Sequence, residues 1–112
     1  METLLEYKGD TMIVRLQGEL DQHYAAQLRR TIDSQVAHRG IHKIVFDFSN
    51  VGFMDSSGIG VIMGRYRLMQ SVGGNVCAFG VTHRVDKLIE MSGIKRIISI
   101  YVDEQTALRK EG

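Results

Sequence analysis

The chain has no proline, one cysteine, no long apolar run and almost no net charge. Each shortage removes a class of protein. Without proline, the turns must rest on Gly, Asn and Asp. Cys77, in "NVCAFG", has no partner for an internal disulfide. Its apolar neighbours point to a buried strand residue, and the composition fits a reducing compartment, the cytosol. No stretch reaches the roughly 18 apolar residues that a membrane-spanning helix needs. The N-terminal "METLLEYKGD" carries acidic residues and no long apolar region, so it does not read as a signal peptide. A net charge of +1 argues for neither nucleic acid nor a membrane surface as a partner. What remains is 112 residues, 44% apolar and 24% charged, the composition of one globular domain spanning 1–112.

The hydrophobic period changes along the chain in an orderly way. "TLLEYKGDTMIVRLQGEL" reads as two short strands around a Gly9-Asp10 turn. In the second, Met12, Val14 and Leu16 alternate with Ile13, Arg15 and Gln17. After "GELD", Tyr24, Ala25, Leu28, Ile32 and Val36 fall on one face of a helix, with Asp21 as N-cap and Gly40 as stop. "IHKIVFDF" is a near-continuous apolar run, the pattern of a strand covered on both faces. A second helix follows "MDSS", with an apolar stripe of Ile59, Ile62, Met63, Tyr66 and Met69. "GGN" at 73–75 ends it. "VCAFG" is a strand. "THRVDKLIEMSG" is a helix capped by Thr82, with Val85, Leu88 and Ile89 inward. "IKRIISIYV" is the last strand, and "DEQTALRKE" a short helix with acids first and bases last, as the helix dipole prefers. The order β-β-α-β-α-β-α-β-α predicts an α/β fold. A mixed sheet of four to five strands carries an antiparallel hairpin and parallel neighbours, with helices packed on it.

Few residues carry chemistry. His23, His38, His42 and His83 share no metal-ligand spacing, which favours solvated surface histidines and no metal. A serine nucleophile on a strand–helix turn needs G-x-S-x-G, but Met54 and Asp55 precede Ser56 and Ser57 by two. Gly58, Gly60 and Gly64 miss the dinucleotide fingerprint by one residue, and no acid ends the following strand. A nucleotide-binding protein or weak NTP hydrolase is therefore the competing class, and small residues that let a helix start lie close to the sheet or to a partner account for the glycines better. No cofactor is expected.

Asp55, Ser56 and Ser57 remain. Any of them could cap the second helix, a contribution of about 1 kcal/mol, but three such residues exceed what a cap requires. A hydroxyl there, on a polar loop after a buried strand, would be exposed and anion-tolerant, since a phosphate meets the positive end of a helix. Position alone leaves Ser56 and Ser57 open. Measured from the Ile59–Tyr66 stripe, Ser57 points further from the core.

"GELD", "MDSSGIGVIMGRY", "GGNVCAFGV" and "LIEMSGIKRIISI" together resemble a STAS domain over nearly the whole chain. More narrowly, they are similar to the bacterial anti-sigma factor antagonists, with "GRY" and "EMSG" tilting toward the sporulation branch over the general-stress regulators. The resemblance implies a partner switch rather than an enzyme. The unmodified protein binds an anti-sigma factor that is also a serine kinase, and the sigma factor is released. Phosphorylation by that kinase, using ATP, ends the binding, and a serine phosphatase reverses it. The family's acceptor falls on Ser56, and Asp21 matches a position near the docking surface. The expected docking surface comprises Asp21, Met54, Asp55, Ser57, Gly58, Ile59 and Gly60.

Overall fold

The computed structural model describes residues 1–109; Lys110 and Glu111, placed by the sequence in the terminal helix, lie outside the described residues. The elements are β1 (Glu2–Lys8), β2 (Thr11–Leu20), α1 (Gln22–Arg39), β3 (Lys43–Met54), α2 (Ser56–Ser71), β4 (Asn75–Phe79), α3 (His83–Ser92), a 3-10 turn (Ile94–Arg96), β5 (Ser99–Tyr101) and α4 (Glu104–Arg109). They follow the expected order. The sheet runs β1-β2-β3-β4-β5. β1 is antiparallel to β2 and the other neighbours are parallel.

Strand alternation sorts the sheet into two faces. Met12, Ile44 and Val76 are aligned across β2, β3 and β4, as are Val14, Phe46 and Ala78. These rows join the main core with Leu28 and Ile32 of α1, Ile62 and Met69 of α2, and Val85 and Ile89 of α3. Burying each large side chain contributes about 1.5–3 kcal/mol. The intervening row, Ile13, Val45 and Cys77, faces the other way and is covered with Phe79 by Ala107 of α4. Cys77 is the buried strand residue the sequence implies, and burial pushes its thiol pKa up to about 11.

Four local expectations give way in whole or in part. β3 continues past Phe48 to Met54, so a strand, not a polar loop, leads into α2. The buried residues of α2 are Gly58, Val61, Ile62, Arg65 and Met69, whereas Ile59, Met63 and Tyr66 are only partly buried. Its inward face is thus rotated from the expected stripe, because Arg65 takes a core-facing position. Thr82 is the N-cap residue of α3, as expected, but its side chain makes no cap hydrogen bond. Its hydroxyl donates to the Val51 carbonyl at 2.9 Å, tying the helix start to β3. The last strand is shorter than 94–102. Gly93 at φ 77 ends α3, a 3-10 turn buries Ile94, and pairing begins only at Ser99.

The α4 face is held by charge as well as by apolar contact. Arg15 donates to Glu6 (2.9 Å), Asp47 (2.9 Å) and Glu104 (2.7 Å), joining β1, β2, β3 and α4 through one guanidinium. The Arg15 hydrogen bond holds the Glu6 carboxyl below its ordinary pKa. A carboxyl lowered in the folded state contributes stability above the unfolded value and loses it as pH falls through the folded one. Melting temperature measured across the acid range should therefore fall less steeply for Glu6→Gln than for the unmodified protein.

Candidate functional site

Two parallel strands that end level place two helix starts side by side. Leu20 and Met54 are paired across β2 and β3, and the Asp55 N–H donates to the Leu20 carbonyl at 3.3 Å. α1 and α2 follow at once. Asp21 caps α1 as expected, its Oδ1 accepting from the Tyr24 N–H at 3.0 Å. Asp55 caps α2, its Oδ1 accepting from the Ser57 N–H at 2.8 Å. Its second oxygen accepts from the Gln22 N–H of α1 at 3.2 Å. One carboxylate thus serves the positive ends of two helices. The cap is Asp55 alone, leaving both serines as the first residues of α2.

The rotation of α2 decides how those serines are presented. Ser56 is exposed and Ser57 half-buried, the reverse of the order read from the Ile59–Tyr66 stripe. Ser57 leans toward α1 and, with Gly60 and Val61, lines a groove of about 290 Å³. Gln22, Ala25, Ala26 and Arg29 form the opposite wall. None of these α1 residues carries a motif; only the pairing of Leu20 with Met54 brings them to α2.

Met54 and Gly58 belong beneath this surface rather than on it. Met54 is 6% exposed. A Cβ on Gly58 would collide with the Met54 side chain and approach Leu20 Cδ2 to 3.1 Å. Gly58 is required because the first turn of α2 lies directly on the two strand ends. Gly60 and Gly64 have open space where a Cβ would stand. Close packing at one position therefore explains one of the three glycines. Asp21, Asp55 and Ile59 are partly buried and Gly60 is exposed, so each keeps some accessible surface at or near the start of α1 or α2.

Further along the same helix pair, Arg65 is 7% exposed and its Nε lies 2.9 Å from Asp33 Oδ1 of α1. Among the described residues, its Nη1 has no hydrogen-bond partner. Burial works against the charge of Arg65, and Asp33 works for it. The signal for Arg65 was present as the 58, 61, 65, 69 spacing, one helical face that a hydrophobicity reading breaks at an arginine. All four histidines are exposed, and no group of three or more His, Cys, Asp or Glu among the described residues could hold a metal ion. No helix among them is long and apolar enough to cross a membrane.

The STAS domain model matches residues 3–107. The chain belongs to the STAS domain family. It is 41% identical over 104 residues to an anti-sigma F factor antagonist from Paenibacillus polymyxa, covering 93% of this chain and 89% of that one. Among solved structures it resembles the anti-sigma factor antagonist SpoIIAA in its unphosphorylated form, with a TM-score of 0.85 and 30% identity over 96% of this chain and 93% of the other. It also resembles the Bacillus cell fate determinant SpoIIAA in the phosphorylated form, with a TM-score of 0.76 and 30% identity over 96% of both chains. These relatives place this STAS chain among the anti-sigma factor antagonists, which are regulators rather than enzymes. The mixed five-stranded fold is the one they share.

Two sets of substitutions test this geometry. Asp55→Ala removes the α2 cap and the bond to Gln22 of α1 and should cost about 1–2 kcal/mol in urea unfolding, with Asp55→Asn retaining most of the stability. Gly58→Ala should destabilise by about 1 kcal/mol or more through overpacking. Gly60→Ala, in open space on the same helix, should instead add up to about 1 kcal/mol.

Proposed function

We propose that this protein is an anti-sigma factor antagonist of sporulation that works in the cytoplasm by partner switching. Unphosphorylated, it binds an anti-sigma factor serine kinase and frees the sigma factor. Phosphate on Ser56 blocks that binding, and a serine phosphatase restores it. The observation that carries the reading is the exposed Ser56 at the first position of α2, in a chain similar to a SpoIIAA solved with and without phosphate.

The site's physics supports it. Ser56 is held by a rigid strand end and a capped helix, so a kinase meets a fixed hydroxyl. A phosphate there would add about −1.5 to −2 charges at a helix N-terminus that tolerates anions. It would also stand beside Asp21 and Asp55, changing the charge of the surface around Gly60 and Ile59 without needing to refold it. Ser57 is the poorer acceptor, since it is half-buried and lines the groove against α1. A coupling of about 1–3 kcal/mol, or 5- to 150-fold in affinity, is typical of such switches.

Incubation with the kinase and ATP, followed by intact mass and site mapping, is the direct test. Wild type should gain one phosphate on Ser56, and Ser56→Ala should bind the kinase but gain none. Ser56→Asp should bind about 5- to 150-fold more weakly, with stability within about 0.5 kcal/mol of wild type. Phosphate mapped to Ser57, or undiminished phosphorylation of Ser56→Ala, would overturn the assignment.

A further inference from the structure

Phe46, Phe48 and Phe79 are buried, and all four tyrosines are partly buried. Phe53 alone among the aromatic residues is exposed, at 48%. A scattered apolar residue on a surface needs no explanation by itself. Phe53 differs in where it stands and how firmly it is held. It is paired with Glu19 in the register step before Leu20 and Met54, three residues ahead of Ser56. Strand alternation sends Met54 into the core beneath α2 and Phe53 to the opposite face.

That face is covered by α4 only around Ile13, Val45, Cys77 and Phe79. Toward the end of β3, Ser49, Asn50, Gly52 and Phe53 are all exposed. Gly52, the preceding residue, has open space where a side chain would stand. Glu19, its exposed strand partner, puts one carboxylate at the facing position of β2.

We infer that Phe53 is an aromatic anchor for the anti-sigma factor kinase, seated in an apolar pocket of that protein whose rim carries a basic group facing Glu19. The surface that contacts the kinase thus continues from Ser56 over the strand end onto the opposite face of the sheet. This rests on the reading of Ser56 as acceptor: Phe53 stands three residues ahead of it, at the end of the strand that leads into α2, so the two share one edge of the fold. Aromatic side chains, Phe included, are enriched at interface cores, and a ring on backbone already fixed by pairing costs less to order on docking.

The test is calorimetric titration of the kinase into wild type, Phe53→Ser, Phe53→Leu, Glu19→Lys and Ser56→Asp, with a thermal melt of each. Phe53→Ser should weaken binding about tenfold or more, with Phe53→Leu retaining most of the affinity. Glu19→Lys should weaken it in a salt-dependent way, a readout independent of any folding defect in the Phe53 variants. Binding by Phe53→Ser within about twofold of wild type, while Ser56→Asp binds weakly, would overturn the anchor and leave the proposed function standing. No binding by wild type would overturn the proposed function itself. If wild type alone self-associates and Phe53→Ser abolishes that without changing kinase affinity, the ring serves a second copy and the inference falls.

Discussion

The Asp55 carboxylate is the point on which the arrangement turns. Parallel pairing of β2 with β3 makes both strands end at the same level, so the helices after them start together with their positive ends adjacent. Left alone, those ends would present several unpaired N–H groups and two aligned partial charges. Asp55 answers both with one side chain, through Ser57 on its own helix and Gln22 on the other. That bridge ties the starts of α1 and α2 together beside the groove and Ser56. Gly58 is its steric complement, since α2 can begin directly above Met54 only if its third residue has no side chain.

This arrangement suits a residue that is acted upon. A nucleophile needs a base and a cavity that excludes water, and Ser56 stands exposed on a convex helix start. On the proposed reading, what the kinase needs is an invariant shape and what the switch needs is a large change in charge. A short, capped connection supplies the first and a phosphate the second. Rigidity matters here because energy spent on ordering a loop would be subtracted from the difference between the two binding states.

Much of this was legible in the sequence because it was local. Asp21 and Gly40 bound α1 as caps because their signals lie within one turn of the helix. The apolar run at 44–48 marks a central strand because both faces must be covered. The readings that failed depend on contacts between distant segments. Asp55 reads as a cap for its own helix, but its bond to Gln22 exists only because Leu20 and Met54 are in register. The phase of α2 was misread because Arg65, paired with Asp33 of α1, occupies an inward position that polarity would assign to the surface. That one error reversed the order of Ser56 and Ser57. Thr82 likewise had the identity of a cap, but a nearby Val51 carbonyl in β3 took its hydroxyl.

The two faces of the sheet divide the work in a way that locates the site. The α1–α3 face is dense and apolar, so it resists change. The α4 face relies on a short helix and on Arg15 shared among three carboxylates, contacts that are weaker per residue and sensitive to salt and acid. The strand ends of β2 and β3 differ from both, because both faces terminate there and the backbone is already fixed by pairing. A surface built at that edge can draw on both sides of the sheet at once: Ser56 and Gly60 from the helical side, Glu19 and Phe53 from the other. A partner that grips both sides reads the strand end as a solid corner. Charge added at Ser56 then acts at the centre of its contact rather than at the rim, where solvent would screen it.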